Sequence, residues 1–264
     1  MQQGGFDLLR GDVSMLAHRA DAPAITLGIG APNLEMVRGN FRIDDLVERR
    51  LALDCFAASD GAIRLWNAAR PDVVVTLKLT QRAQQSALEL RCSDPAFNRL
   101  WIDMQCATSE AFWGGGEQMS YLPLNGQRFP FWTSEPGVGR DKSTALTQTM
   151  DANGLAGGDY WTTNYPQPTW LSSARYAVHL ETTAYSVLDL TEKGRVGIEC
   201  WSANVDLELF EAPSLPNLVT KLSDRFGRQP PLPEWAISGA IVGLKDGADT
   251  HSTVSRQLRP LAQR

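Results

Sequence analysis

The sequence lacks the features that mark nucleic-acid-binding and membrane-spanning proteins. Its 264 residues carry a formal net charge of −5 and contain no basic stretch, which argues against nucleic acid and anionic lipid as partners. No apolar run approaches the roughly 18 residues that a membrane-spanning helix needs. Residues 1–21 carry charges throughout and do not have the pattern of a signal peptide. We therefore expect a cytoplasmic protein without a membrane partner, and the sequence leaves its oligomeric state open.

Cysteine is also scarce, and the cysteines present are not spaced as metal ligands. No C-x-x-C pair occurs among the four: Cys55, Cys92, Cys106 and Cys200. Cys200 lies in an alternating run and Cys55 in an apolar one, a pattern that favours buried free thiols over a disulfide. We expect no metal site and no cofactor.

Short apolar or alternating runs, separated by Gly, Pro, Asn and Asp, fill most of the first two thirds of the chain. This pattern predicts β-strands joined by turns, as in a β-sandwich. The runs cover residues 24–29, 73–79, 87–91, 176–190, 196–201 and 205–210. The last two runs are predicted to pair with each other as a hairpin.

Three segments have the character of helices. Residues 44–53 are short and charged. In residues 214–226 the apolar side chains recur at helical spacing, and Ser214 is suited to cap the first turn. Residues 250–263 form the third segment, although Pro260 interrupts its late part.

The stretch 113–173 is rich in glycine, proline and aromatic residues and poor in aliphatic runs. A long irregular stretch inside a compact domain is usually either functional or disordered. Its aromatic content supplies rigid apolar area, which argues against disorder. We expect ordered loops that face a ligand.

The chain changes character near residue 233. A proline-rich connector at 228–234 precedes a nearly continuous apolar run at 235–244, which predicts a strand covered on both faces. A loop and a helical segment follow, as in one β/α unit of a parallel fold. The sequence therefore predicts a mainly β domain at 1–233 and a second domain that begins at 234 and continues to 264.

Four segments together resemble a known family. They are Gly116-Glu117-Gln118, the run Trp-Thr-Ser-Glu-Pro-Gly-Val-Gly-Arg at 132–140, residues 157–168, and Arg228-Gln229-Pro230. These segments resemble the N-terminal region of family 31 glycoside hydrolases. Within that family the resemblance is to the α-sulfoquinovosidases, which release the 6-sulfonated sugar sulfoquinovose from sulfolipid head-groups.

The resemblance implies a galactose-mutarotase-like β-sandwich followed by a (β/α)8 barrel that carries the active site. It also implies a retaining mechanism with two aspartates, whose carboxyl groups lie about 5–5.5 Å apart in such enzymes. A barrel of this kind takes about 250 residues. Residues 234–264 would hold only its first strand and helix, so no catalytic residue is assigned in this chain and the chain alone is expected to be inactive.

The resemblance further implies a carbohydrate substrate and substrate contacts at four residues. Lys245 would follow the first barrel strand, where a lysine can donate to sugar hydroxyls and attract a sulfonate. Gln118 follows three glycines that permit close backbone approach. Trp132 and Glu135 lie in a segment similar to the family's hairpin over the barrel mouth. Each residue also has a plain structural alternative: a solvated cation, a capped turn or a buried aromatic ring.

Other functions stay open at this point. One is an α-glucosidase or α-xylosidase of the same family. Another is a carbohydrate-binding β-sandwich without catalysis, although the buried-strand pattern at 235–244 argues against an independent module. The last is a truncated product without activity.

Overall fold

The structure is a computed structural model that describes residues 4–37, 40–82, 85–118, 120–134, 144–152 and 158–238. Within these ranges the chain forms sixteen β-strands and three α-helices. In chain order the first nine strands are β1 (Gly5–Arg10), β2 (Val13–Arg19), β3 (Ile25–Val37), β4 (Asn40–Ala52), β5 (Cys55–Ser59), β6 (Ala62–Asn67), β7 (Arg70–Gln81), β8 (Ser86–Cys92) and β9 (Arg99–Gln105).

The remaining elements include all three helices. They are β10 (Phe112–Gly116), β11 (Arg128–Phe131), α1 (Ala145–Ala152), β12 (Pro166–Ser172), β13 (Tyr176–Glu181), β14 (Ser186–Asp189), β15 (Arg195–Cys200), β16 (Val205–Glu211), α2 (Leu215–Phe226) and α3 (Glu234–Ser238). No helix of the described ranges is long and apolar enough to cross a membrane.

The strands form two large antiparallel sheets and one separate hairpin. The eight-stranded sheet has the order β10-β12-β13-β16-β8-β7-β6-β5, and the six-stranded sheet has the order β11-β14-β15-β9-β3-β4. Strands β1 and β2 pair only with each other. One core cluster joins the sheets, with Leu77 and Leu90 from the first and Ile102 and Leu188 from the second. The expected mainly β sandwich is therefore confirmed.

Alternation of side chains along the strands builds this core. On β7, Val73, Val75 and Leu77 are buried and the residues between them face outward. On β15, Val196, Ile198 and Cys200 are buried, and Glu199 between the last two is half-buried. Successive residues of a strand point to opposite faces, so one apolar series per strand is enough to cover the core. Each fully buried aliphatic side chain contributes about 1.5–3 kcal/mol.

Helix α2 packs on the outer face of the eight-stranded sheet. Its buried residues Leu218 and Leu222 contact a small cluster that includes Ala177 and Phe210. The hydroxyl of Ser214 accepts the backbone N–H of Asn217 at 3.3 Å, which satisfies one of the free donors of the first turn. The helix predicted at 214–226 and its cap are confirmed.

Two local predictions are wrong. The charged segment 44–53, expected to be helical, forms most of β4, because it pairs with β3 over a long antiparallel register. The runs at 196–201 and 205–210 are strands, but they do not pair as a hairpin. β15 pairs with β14 and β9, whereas β16 pairs with β13 and β8 in the other sheet. Both runs present apolar side chains to the same core, and they do so from opposite sheets.

The chain divides into two units, Met1–Arg225 and Phe226–Arg264. In the second unit, α3 occupies the beginning of the run predicted as a buried strand, so that prediction is wrong for residues 235–238. The backbone N–H of Ala236 bonds to the carbonyl of Pro233 at 2.9 Å, and the Ser238 hydroxyl bonds to the carbonyl of Glu234 at 2.8 Å. A helix satisfies its backbone locally, whereas a strand needs neighbours. The rest of the run and the helix predicted at 250–263 lie outside the described residues, and the boundary at 233/234 stays a prediction.

Candidate functional site

A turn of three glycines lies at the end of β10, shortly before Gln118, which the sequence predicts as a substrate contact. Gly114, Gly115 and Gly116 all have positive φ angles, of 114°, 78° and 87°. A Cβ atom at Gly116 would collide with the carbonyl of Tyr165 and the backbone beyond it. Glycine is needed here because the backbone of β10 approaches β12 too closely for side chains, and its conformation is one that other residues rarely adopt. The register between the two strands shifts at this point.

Gln118 folds back onto this turn. Its side-chain Nε2 donates to the carbonyl of Gly115 at 3.1 Å, and its backbone N–H donates to the carbonyl of Gly116 at 3.0 Å. The other side-chain atom, Oε1, is buried and has no hydrogen-bond partner among the described residues. A buried acceptor without a donor costs about 1–3 kcal/mol. The carboxamide is thus fixed on the glycine turn, and its acceptor oxygen is unpaired within the described part of the chain.

The strand that leads to Trp132 runs beside this turn. A Cβ atom at Gly115 would lie 3.1 Å from Cγ of Gln118 and 3.4 Å from the ring of Phe131, the last residue of β11. Immediately after Trp132, the segment is held by the residues around Thr163. Thr133 forms a parallel bridge with Thr163, and the N–H of Ser134 donates to the Thr163 carbonyl at 3.0 Å. Gln118 and the start of the Trp132 segment therefore belong to one ordered region.

Three aromatic rings form a row across the ends of neighbouring strands, which we call the aromatic ladder: Trp132, Tyr185 and Trp201. The ring centroids of Trp132 and Tyr185 are 5.7 Å apart, and those of Tyr185 and Trp201 are 4.3 Å apart. Burial raises the pKa of Tyr185, so its hydroxyl is neutral at physiological pH. Trp132 is thus backed by two further rings, which limit the orientations its own ring can take.

Charged side chains anchor the inner end of the ladder. The guanidinium of Arg99 lies 4.1 Å from the centre of the Trp201 ring and is paired in a bidentate manner with Asp45, at 2.9 and 2.7 Å. The indole N–H of Trp201 donates to Glu199 at 2.9 Å, and Glu199 also accepts from Arg128 at 2.9 Å. Only 2% of Arg99 is exposed. A buried arginine in a bidentate pair over an aromatic ring gives this end of the sheet a defined geometry.

The structure describes two of the four predicted substrate contacts. Gln118 and Trp132 lie in the ordered region around the glycine turn, while Glu135 and Lys245 lie outside the described residues. The site also includes Tyr185, Trp201 and Arg99, which were not among the residues predicted from sequence. Each residue comes from a different part of the chain and lies at the end of a strand. In the sequence, the only sign of such a residue is an aromatic or charged side chain at the end of an alternating run.

The fold indicates the class of protein to which the chain is similar. The chain is a two-sheet β domain of the kind found in family 31 glycoside hydrolases. A solved structure of a family 31 sulfoquinovosidase from E. rectale, in complex with an aza-sugar inhibitor, superposes with a TM-score of 0.82 at 34% identity. The match covers 98% of this chain and 39% of that protein. No family model matches the chain.

Comparison of amino-acid sequences identifies two similar enzymes. The chain is 46% identical over 252 residues to a sulfoquinovosidase from Agrobacterium fabrum, and 34% identical over 238 residues to a sulfoquinovosidase from Escherichia coli. These matches cover 96% and 89% of the chain. The resemblance to sulfoquinovosidases of family 31 is therefore confirmed. The chain spans 37% and 35% of the length of these two relatives, just over a third.

Proposed function

We propose that this chain forms the N-terminal region of a retaining α-glycosidase that hydrolyses α-sulfoquinovosides. The observation that carries the proposal is the 46% identity to the Agrobacterium fabrum sulfoquinovosidase across almost the whole chain. A retaining glycosidase needs a nucleophile and an acid/base about 5–5.5 Å apart. We expect both carboxylates in the part of the relatives that this chain does not match. The described domain then supports a barrel and lends residues to its substrate pocket.

In this proposal the ordered region around the glycine turn contributes two kinds of sugar contact. The buried Oε1 of Gln118 accepts a hydrogen bond from a sugar hydroxyl. The ring of Trp132, fixed by Tyr185 and Trp201, forms an apolar wall beside the sugar. Because both side chains are held before a ligand arrives, little conformational entropy is lost on binding. Glu135 and Lys245 are proposed contacts on the strength of the family resemblance alone.

A chimera tests this function directly. Residues 1–264 replace the matching third of the Agrobacterium fabrum sulfoquinovosidase, and hydrolysis of an aryl α-sulfoquinovoside and an aryl α-glucoside is measured. We expect the chimera to hydrolyse the sulfoquinovoside and the 264-residue chain alone to release nothing above buffer. A folded chimera that cleaves only the glucoside would support an α-glucosidase instead. Turnover by the chain alone, abolished by mutating one of its own carboxylates, would show that the chemistry lies within it.

In the same chimera, Lys245→Ala tests the sulfosugar contact. Removing a hydrogen bond to a charged group costs about 1.5–3 kcal/mol, or roughly 10- to 150-fold in kcat/KM. We expect this loss for the sulfoquinovoside and a smaller one for the glucoside. The matched control is Lys193→Ala, an exposed lysine on the sandwich. Equal effects below about twofold from both substitutions would remove Lys245 from the site.

A cytoplasmic location is also part of the proposal. The four cysteines are free thiols, and burial raises the pKa of Cys92, Cys106 and Cys200. Protonated thiols are poor nucleophiles, and free cysteines are usual in a reducing compartment, where disulfides are rare. Mass spectrometry of the native protein after alkylation tests this, because four reduced cysteines are expected and a disulfide between any two would contradict it.

A further inference from the structure

A cavity lies inside the first unit, between the β1–β2 hairpin and the interior faces of both sheets. Its volume is about 280 Å³. Leu88, Val178 and Leu207 line it from the eight-stranded sheet, and Ile102 and Met104 line it from the six-stranded sheet. Leu8 and Met15 of the hairpin also line it. The hairpin therefore covers a space that the two sheets leave between them.

This space is partly open to solvent, and it is larger than the gaps that close packing leaves between side chains. Side chains in cores normally pack as closely as organic crystals, with few voids larger than a water molecule. An apolar cavity of about 150 Å³ stays dry and admits a ligand of the size of benzene. A cavity of about twice that volume has room for an alkyl chain of roughly ten carbon atoms. Leu9 and Leu79 in the lining are 60% and 53% exposed, so the cavity opens to solvent on their side.

One end of the lining carries an ion pair, formed by Arg10 and Glu211. Arg10 donates from Nη1 to the carbonyl of Ala174 at 3.3 Å and lies 3.5 Å from the carboxylate of Glu211. Its guanidinium also lies 4.8 Å from the centre of the Tyr176 ring. The Nε of Arg10 is buried and finds no hydrogen-bond acceptor in the described part of the chain. Glu211 is half exposed, so solvent weakens its hold on the arginine.

We propose that this cavity binds a single alkyl chain with an anionic head group, such as a medium-chain carboxylate. The alkyl chain occupies the apolar space between the hairpin and the sheets, and its carboxylate takes the place of the half-exposed Glu211 carboxylate in accepting hydrogen bonds from Arg10. Arginine is suited to this role because its planar donors match a carboxylate. The site goes beyond the proposed glycosidase function, and its test does not depend on that function.

Calorimetric titration of the 264-residue chain with decanoate and with 1-decanol tests the proposal. We expect saturable binding of one decanoate per chain and binding of the alcohol at least about tenfold weaker, because the alcohol lacks the charged hydrogen bond. In Arg10→Gln the two affinities should become equal within about twofold. Absence of saturable decanoate binding to the unaltered chain would overturn the proposal, and equal affinity for the alcohol would overturn its head-group assignment.

Substitutions that fill the cavity test whether the alkyl chain binds there. Leu88→Trp and Met104→Trp fill the cavity from opposite sheets, and each is expected to abolish decanoate binding. Leu34→Trp is the matched control, since Leu34 is 49% exposed on β3 and does not line the cavity. Thermal unfolding identifies which variants fold. If neither blocking variant folds, the comparison of decanoate and 1-decanol binding to Arg10→Gln tests the proposal instead. Unchanged decanoate affinity in a folded blocking variant would place binding elsewhere and overturn the proposal.

Discussion

Two networks of arginine and carboxylate lie on opposite sheets of the sandwich, and only one of them contacts the candidate site. On the six-stranded sheet, Asp45 and Arg99 hold Trp201 and, through the aromatic ladder, Trp132. On the eight-stranded sheet, Glu208 accepts from Arg225 at 2.9 Å and so ties the end of α2 to β16. Both networks use a carboxylate and an arginine that are distant in sequence, yet one positions a site and the other attaches a helix.

Exposure of the arginine distinguishes the two networks. The side chain of Arg99 is 3% exposed, whereas that of Arg225 is 37% exposed. An arginine that solvent can reach recovers hydration when its partner is lost, but a buried one does not. The position of Trp132 therefore depends on the Asp45–Arg99 pair, whose loss costs much stability. The attachment of α2 depends on the Glu208–Arg225 pair, whose loss costs less. This difference is what we expect if the ladder serves ligand recognition.

The largest predicted effect is that of Asp45→Ala. It leaves Arg99 buried without its bidentate partner, so the free energy of unfolding should fall by about 3–5 kcal/mol in urea denaturation. Asp72→Ala, which removes the 65% exposed partner of Arg70, is the control and should change stability by less than about 1 kcal/mol. A loss for Asp45→Ala no larger than that of the control would mean that the Asn98 carbonyl and the Trp201 ring together satisfy Arg99.

A smaller effect is predicted for Glu208→Gln. The change removes the charged acceptor of Arg225 and of the side-chain amide of Gln85, at 2.9 and 3.0 Å, and should destabilise the domain by about 1.5–3 kcal/mol. Amide hydrogen exchange should report the loss mainly in α2. In the chimera, hydrolysis should be unaffected. Reduced hydrolysis by a variant that stays folded would show that the second network also serves the site.

The two networks should also respond to opposite ends of the pH range. Burial lowers the pKa of His179, which lies 3.5 Å from Glu181 beside Arg225. In the unfolded chain a histidine has a pKa of about 6.5. Because the folded protein holds His179 at a lower pKa, the domain keeps its full stability above about pH 6.5. As the pH falls below about 6.5, the free energy of unfolding decreases by at most about 1.4 kcal/mol per pH unit. Burial raises the pKa of Tyr185, so the ladder should lose stability as pH rises above about 10.

Two substitutions separate these pH dependences. His179→Gln should reduce the loss of stability on the acid side and leave the alkaline side unchanged. Tyr185→Phe should do the reverse. Urea denaturation of each variant across the pH range, compared with the unaltered chain, measures the differences. If either substitution alters both ends of the profile, the two networks are coupled through the core and the comparison fails.

The regular strands were predictable from sequence, and the site was predictable only in part. Alternation in β7 and β15 marks the core because one face of each sheet is buried throughout. The charged segment 44–53 predicts a helix by its sequence, but pairing with β3 makes it a strand, β4. Gln118 could be found from its glycines. Tyr185 and Arg99 could not, since only strand pairing brings them beside Trp132 and Trp201.

The smallest predicted effect on stability comes from the site itself. Gln118→Met keeps the length of the side chain, removes the buried Oε1 and gives up the bond from Nε2 to Gly115. Because loss of an unsatisfied acceptor offsets loss of one hydrogen bond, the free energy of unfolding should change by less than about 1 kcal/mol. In the chimera, kcat/KM for the aryl α-sulfoquinovoside should nevertheless fall, by about fivefold or more, since a hydrogen bond to a sugar hydroxyl contributes roughly 1 kcal/mol.

Gln118→Glu is the control for this last substitution. It keeps an acceptor oxygen but, like the methionine variant, loses the donor to the Gly115 carbonyl, so it should retain more activity per folded molecule than the methionine variant. The pair of variants distinguishes ligand contact from packing. If Gln118→Met destabilises the domain by several kcal/mol while hydrolysis per folded molecule is unchanged, Gln118 holds the glycine turn and does not touch the sugar. If stability is kept and activity falls, the carboxamide acts on the ligand, and the ladder beside it has the supporting role that its ring contacts indicate.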